Sequence, residues 1–275
     1  MAAARTEMRS ATRAEGDIVI EVTDLVTRFG KQTIHDHLSF SVRRGEVIGV
    51  VGGSGSGKSV LMRTIIGLNR PKAGRIEVFG VDVAKLSEAG RRKLQRRWGV
   101  LFQEGALFTS LTVGENVEVP LREHTRLPAE ARQELVALKL ALVGLPEDAT
   151  YKYPSEISGG MKKRAGLARA LALDAEILFL DEPTAGLDPI SANRFDELIK
   201  TLQASLGLTV VLVTHDLDTL HGICDRVAAL VDKRILVGTI EELMRIDDPW
   251  LQDYFLGPRG RAAQSAADRR PAVAG

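Results

Sequence analysis

Apolar positions along this chain follow two rhythms. Ile18-Val19-Ile20-Glu21-Val22 predicts a short strand, and Thr33 to Val42 predicts a second, with Leu38, Phe40 and Val42 at every other position. Val47-Ile48-Gly49-Val50-Val51 is apolar on both faces, as a strand inside a parallel sheet must be. From Ser59 to Leu68 the rhythm becomes helical, with Leu61, Ile65 and Leu68 on one side. Arg75 to Phe79 and Trp98 to Phe102 read as further strands. Between about Ser110 and Pro154 the spacing is helical, with Val136, Leu140 and Val143 in register. An Ala- and Arg-rich helix after Ser158 leads to a strand at Ile177 to Leu180. A helix at about Ser191 to Gln203 follows, then strands at Thr209 to Val213, Val227 to Val231 and Arg234 to Val237. Strands alternating with helices predict an α/β domain with a mostly parallel sheet covered on both faces. No segment repeats, so the chain holds one such unit.

Composition narrows the classes. The 275 residues suit one large domain or two small ones, with a core that needs no disulfide. The single cysteine, Cys224, excludes an intramolecular disulfide and a thiolate metal cage; its apolar surroundings predict a buried structural thiol. No run reaches the roughly 18 apolar residues of a membrane span. The formal net charge of +1 argues against a nucleic-acid partner. The one dense basic run, Arg91, Arg92, Lys93, Arg96 and Arg97, reads as a solvated helix face. Residues 1–16 lack the apolar stretch of a signal peptide and read as a disordered leader; residues 257–275, rich in Ala, Arg, Pro and Gly, read as a disordered tail.

The chemistry gathers at predicted strand ends. Gly52-Gly53-Ser54-Gly55-Ser56-Gly57-Lys58-Ser59 fits G-x-x-x-x-G-K-S/T, between a buried strand and a helix start. Glycines let successive N–H groups turn toward a polyanion, and the helix N-terminus adds positive potential. Lys58 can reach β- and γ-phosphates, and the Ser59 hydroxyl can bind Mg²⁺. Ile177-Leu178-Phe179-Leu180 ends in Asp181-Glu182, at the sheet edge where ligands bind. Asp181 is placed to hold the metal. Glu182 can orient a water or take its proton for attack on the γ-phosphate. His215, after the strand Thr209 to Val213, stands on the same edge and can contact that phosphate.

Together these motifs resemble the ABC ATPase family along essentially Ile18 to Leu256. The phosphate loop comes first, followed by Gln103 in the position of the Q-loop glutamine. The signature is Ile157-Ser158-Gly159-Gly160-Met161, and Asp181-Glu182 stands as the Walker B pair. Ala185-Gly186-Leu187-Asp188 matches the D-loop, and His215 the switch histidine. The resemblance implies a P-loop NTPase fold with a mostly parallel core sheet, an antiparallel β subdomain and a helical signature subdomain at about 104–170, within a nucleotide-binding domain at 17–256. It implies that Phe29 stacks on adenine and that Gly52 to Val60 hold ATP. Gln103 would join Ser59 and Asp181 around Mg²⁺ and, with Lys58, Glu182 and His215, serve catalysis. Ser158, Gly159 and Gly160 would grip the γ-phosphate of ATP on a second copy, and Asp188 would organise the homodimer interface. Ile157 and Met161 depart from the usual Leu-Ser-Gly-Gly-Gln.

A finer resemblance, to the Mla-type lipid-transport ATPases, rests on Leu101 to Thr109, Pro120 to Pro128 and Asp188-Pro189-Ile190. It implies an ATPase working with a separate membrane permease, an MCE-domain lipid-binding protein and a small regulatory subunit, on the cytoplasmic face of the inner membrane. Ala106, Leu107 and Phe108 would be apolar contacts to the permease, with ordinary core packing the competing expectation. Other ABC importers or exporters remain alternatives. So does a soluble ABC ATPase acting on nucleic acid or ribosomes, although neither a coiled-coil insertion nor a second cassette occurs.

Overall fold

The computed structural model describes residues 17–103, residues 105–257 and Ala263. The proposed leader, all of the proposed tail except Gly257 and Ala263, and Glu104 lie outside the described residues. Strand β1 (Ile18–Phe29) pairs antiparallel with β2 (Gln32–Arg43) on one side. After β3 (Val47–Gly52) and helix α1 (Lys58–Ile65), β4 (Ala73–Val78) pairs with its other side, and β5 (Val81–Asp82) completes a four-stranded sheet in the order β2-β1-β4-β5. The alternation of side chains predicts an end to β1 at Val22. The strand continues to Phe29 because partners on both edges carry it across an irregular register at Asp24, whose φ is +54°.

Helix α2 (Glu88–Gln95) leads to β6 (Trp98–Leu101), followed by α3 (Val113–His124), α4 (Ala129–Leu142) and α5 (Gly159–Ala170). The chain then alternates β7 (Ile177–Asp181), α6 (Pro189–Leu206), β8 (Thr209–Val213), α7 (Leu217–Ile223) and β9 (Arg226–Val231). It ends with β10 (Arg234–Gly238), α8 (Ile240–Met244) and α9 (Pro249–Leu256). The second sheet has the order β10-β9-β3-β8-β7-β6. All of its pairs are parallel except the β9–β10 hairpin.

Side chains of β7 and β8 are buried throughout, which explains their unbroken apolar sequence. Ile20, Leu38, Ile48, Leu61 and Phe179 fill the layer shared by the two sheets. Val117, Leu140, Leu167, Leu180 and Leu212 join the helical block to the parallel sheet. Thr112 and Glu115 form a reciprocal cap that starts α3. Asp188 caps α6, so that helix begins before its first apolar repeat. Helices α8 and α9, of five and eight residues, are too short for spacing to reveal.

The basic run divides. Arg92, Lys93 and Arg96 are exposed as predicted, but Arg97 leaves that face. Its guanidinium binds Glu176 at 2.6 Å and lies 3.5 Å from the Phe79 ring centroid. Cys224 packs against two core clusters, and burial pushes its thiol well above the ordinary range, as an inert structural cysteine requires. Among the described residues no helix is long and apolar enough to cross a membrane.

Candidate nucleotide site at the edge of the parallel sheet

Four neighbouring strands, β3, β8, β7 and β6, run parallel and end on one edge. The phosphate loop, Thr214-His215, Asp181-Glu182 and Phe102-Gln103 therefore emerge side by side from segments far apart in the sequence. In the loop, Gly57 has φ +100° and immediately precedes α1. A Cβ there would stand 2.6 Å from His35 Nε2 and 2.5 Å from Ile34 Cγ2, so only glycine fits. The Lys58 ammonium folds over the loop and donates to the carbonyls of Gly52 at 2.8 Å and Gly53 at 3.2 Å. Burial lowers its pKa, against the opposing pull of Glu182 and Asp181. Phosphate oxygens are stronger acceptors for this cation than neutral carbonyls.

Ser59 Oγ donates to Asp181 Oδ1 at 3.0 Å, and Asp181 is buried. Two hard oxygen donors from different elements at this spacing suit Mg²⁺, which takes few protein ligands and leaves its other positions to phosphate and water. Glu182 follows with φ +48°, rare for a residue with a side chain. Its N–H donates to Val213 O at 2.8 Å, and its carboxylate meets His215 Nδ1 at 2.8 Å. The Glu182 side chain is 15% exposed and that of His215 73%, so the acid is sheltered and the imidazole faces outward. Glu182, Thr184, Leu187, His215 and Asp216 border a cleft of about 580 Å³.

Phe29 is 50% exposed at the β1–β2 turn. Gln32 to Ile34 of that hairpin border a second cleft with Ser54 and Ser56, so Phe29's hairpin flanks the phosphate loop. Val60 is half-buried in the first turn of α1. Gln103 is exposed just beyond β6.

The signature turn stands apart. Ser158 and Gly159 are exposed, Gly160 is partly so, and Ser158 Oγ caps its own helix by accepting from Met161 N at 3.3 Å. Ile157 and Met161 both pack on the helical core, so those departures serve packing. Asp188 Oδ1 accepts from Ile190 N at 3.1 Å and Ser191 N at 3.0 Å, and its bonds to Ser191 hold its pKa down. Of the three proposed docking residues, Ala106 and Phe108 are exposed, while Leu107 turns partly into the core.

Three residues escape sequence reasoning. His35 is fully buried beneath the loop, with Nε2 donating to Gly57 O at 3.1 Å. Asn116 is fully buried in α3 and ties down residues 108–112. Lys163 is buried in α5. Each stands beside other polar residues, as in Lys162-Lys163-Arg164 and His35-Asp36-His37, so nothing in the spacing marks it as buried; only Asn116, one turn inside the Thr112–Glu115 cap, carried a nearby signal.

Known proteins are similar to this chain over most of its length. Residues 35–185 match the ABC transporter family. Over 240 residues the chain is 40% identical to the intermembrane phospholipid transport system ATP-binding protein MlaF of Haemophilus influenzae, covering 87% of this chain and 90% of that one. It is 40% identical over 243 residues to the probable ribonucleotide transport ATP-binding protein mkl of Mycobacterium tuberculosis, covering 88% and 67%. It is 46% identical over 207 residues to the methionine import ATP-binding protein MetN of Caulobacter vibrioides, covering 75% and 62%. A dimeric post-hydrolysis state of the ATP-binding cassette MJ0796 bound to ADP and Pi superposes with a TM-score of 0.73 at 28% identity, covering 80% and 98%.

Proposed function

The chain belongs to the ABC transporter family as an ATP-hydrolysing subunit, and from that premise we propose that it powers lipid transport between membranes through a separate permease. The observation that carries the catalytic part is the contiguous set Lys58, Ser59, Asp181, Glu182 and His215 at the end of three adjacent strands. Lys58 and the loop N–H groups bind the β- and γ-phosphates. Ser59 and Asp181, with Gln103 beside them, would hold Mg²⁺, which when bound neutralises charge on the phosphate oxygens. Glu182 accepts the proton of the attacking water, and His215 fixes the orientation of that carboxylate and reaches the γ-phosphate. Phe29 stacks on adenine. Ser158, Gly159 and Gly160 of a second copy cap the same triphosphate, and Asp188 shapes the junction. ATP therefore closes a homodimer and hydrolysis reopens it.

Two observations favour lipid as cargo. The similarity to MlaF extends over nearly the whole of both chains, and Phe108 stands exposed beside Ala106 where a permease would dock. An MCE-domain protein and a small regulatory subunit complete this assembly at the membrane's cytoplasmic face. The 46% identity to MetN over a shorter span favours the second reading, an importer of a small solute.

Glu182→Gln tests the catalytic part. ATP affinity is expected within about twofold of wild type while turnover falls roughly 10²–10⁴-fold; preserved steady-state hydrolysis would remove Glu182 from its role. Purification of the complex from native membranes tests the cargo. A bound lipid with an MCE-domain partner supports the proposal, and a partner holding an amino acid replaces it with the importer.

A further inference from the structure

Lys163 lies on the first turns of α5, five residues beyond the signature serine, and is only 6% exposed. A buried ammonium is costly unless its donors are satisfied, and an apolar residue would pack there more cheaply. Its Nζ donates to the backbone carbonyl of Gln103 and lies 3.4 Å from that of Glu182. Those carbonyls extend from β6 and β7, neighbouring parallel strands whose paired register ends at Leu101 and Leu180. Lys163 therefore spans the two chain segments where the ladder stops.

The consequence falls on Glu182. Its left-handed backbone persists only if the surroundings hold it. The Val213 carbonyl holds the peptide before it and Lys163 the peptide after it. With both peptide planes fixed, the Cα–Cβ bond of Glu182 has a set direction, from which its carboxylate meets His215 at 2.8 Å. The third attachment is α5 itself, whose N-terminal cap is Ser158. A rotation of α5 that seats or unseats the signature turn displaces Nζ, and with it the backbones of Gln103 and Glu182 together.

We propose that Lys163 is a positioning residue for hydrolysis, linking the seating of the Ser158–Gly160 turn to the aim of Glu182. This rests on Glu182 being the proton acceptor. The test uses the full-length chain in its purified transporter complex. Lys163→Met keeps the apolar stem and removes the donors; Lys163→Arg keeps charge and donors. K163M is expected to lower kcat about tenfold or more, with KM for ATP and nucleotide affinity within about twofold, and K163R to recover most of the loss. A purely structural role would instead lower unfolding temperature and nucleotide affinity along with kcat. The proposal is overturned if kcat of K163M stays within about twofold of wild type, if KM rises in step with the loss, or if K163R is as slow as K163M. Should K163M fail to fold, Lys163→Gln is judged by the same kinetic criteria. E182Q is measured in parallel: if E182Q still turns over, the proton-acceptor reading fails, whereas an inert E182Q beside a normal K163M removes Lys163 alone.

Discussion

The phosphate-loop edge and the signature turn differ in how far one chain completes them. At the edge, Ser59 touches Asp181, Glu182 touches His215, and Lys58 already bonds the loop it serves. Their side chains are buried or half-buried, apart from the outward-facing imidazole. The signature turn shows Ser158 and Gly159 to solvent, and among the described residues its serine hydroxyl is engaged in capping α5. That exposed end of a twelve-residue helix carries the partial positive charge and free N–H groups that suit a phosphate. A preorganised half and an open, anion-seeking half on one chain are what the proposed two-chain site requires. In the proposed homodimer, closed twofold assembly would set the open half of each copy over the finished half of the other.

The largest effect that could break this comparison comes from mixing two defective proteins. Lys58→Ala disables the finished half, and Ser158→Arg blocks the open half. Each alone is expected to lose ATP turnover by roughly 10² or more. In an equal mixture half of the dimers are mixed, and each mixed dimer has one site with an intact loop and an intact signature. Turnover should recover to about a quarter of wild type if the sites act independently. A mixture as inactive as its components would mean that loop and signature act within one chain or that both composite sites must be intact, and ATP-dependent dimerisation of the mixture separates the two.

A smaller effect tests whether the two regions are separately stabilised. The Asn116 amide donates to the carbonyls of Phe108 at 3.1 Å, Leu111 at 3.2 Å and Thr112 at 2.9 Å, and accepts from Phe108 N at 2.7 Å. Asn116→Leu removes the side-chain partner of Phe108 N and Leu111 O, while Phe108 O and Thr112 O keep backbone donors, and should cost about 1–3 kcal/mol, with roughly 2–4 °C of unfolding temperature per kcal/mol in a domain of this size. ATP affinity measured by titration should stay within about twofold, because the loop of α1 rests on other contacts. A parallel fall in affinity would make the two regions one cooperative unit.

The two regions were also unequally legible. The parallel sheet could be read because β3, β7 and β8 are buried on both faces and carry unbroken apolar runs, and because the site residues follow them at strand ends. The helical block could be read as helical but not as a scaffold. Lys163 and Asn116 do their work through backbone carbonyls, which leave no mark in side-chain spacing. The basic run misled at Arg97 for a related reason, since Glu176 and Phe79 meet it only after the chain has folded. The exposed face of Ser158 came from motif order; no periodicity distinguishes an open helix N-terminus from a covered one.

The smallest predicted effect concerns His35, which supports the finished half from below. Its Nε2 carries the proton donated to Gly57 O, while Nδ1 is buried without a hydrogen-bond partner. Burial lowers its pKa below the ordinary 6.5, opposed by the bond to Gly57, because a second proton would put a buried cation under the loop. In the unfolded chain the imidazole titrates near its ordinary value. The unfolded state therefore binds more protons between the depressed pKa and about 6.5, and stability rises with pH across that window. The contribution is complete above about pH 6.5 and is lost as pH falls through the folded pKa. His35→Gln cannot take up that proton. The stability advantage of wild type over the variant, read as a difference in unfolding temperature, should be constant from pH 8 to 7 and shrink toward pH 5. A difference that grows with acidity would mean that the imidazole is charged in the native protein, and the loop would then rest on an ion rather than on a neutral donor.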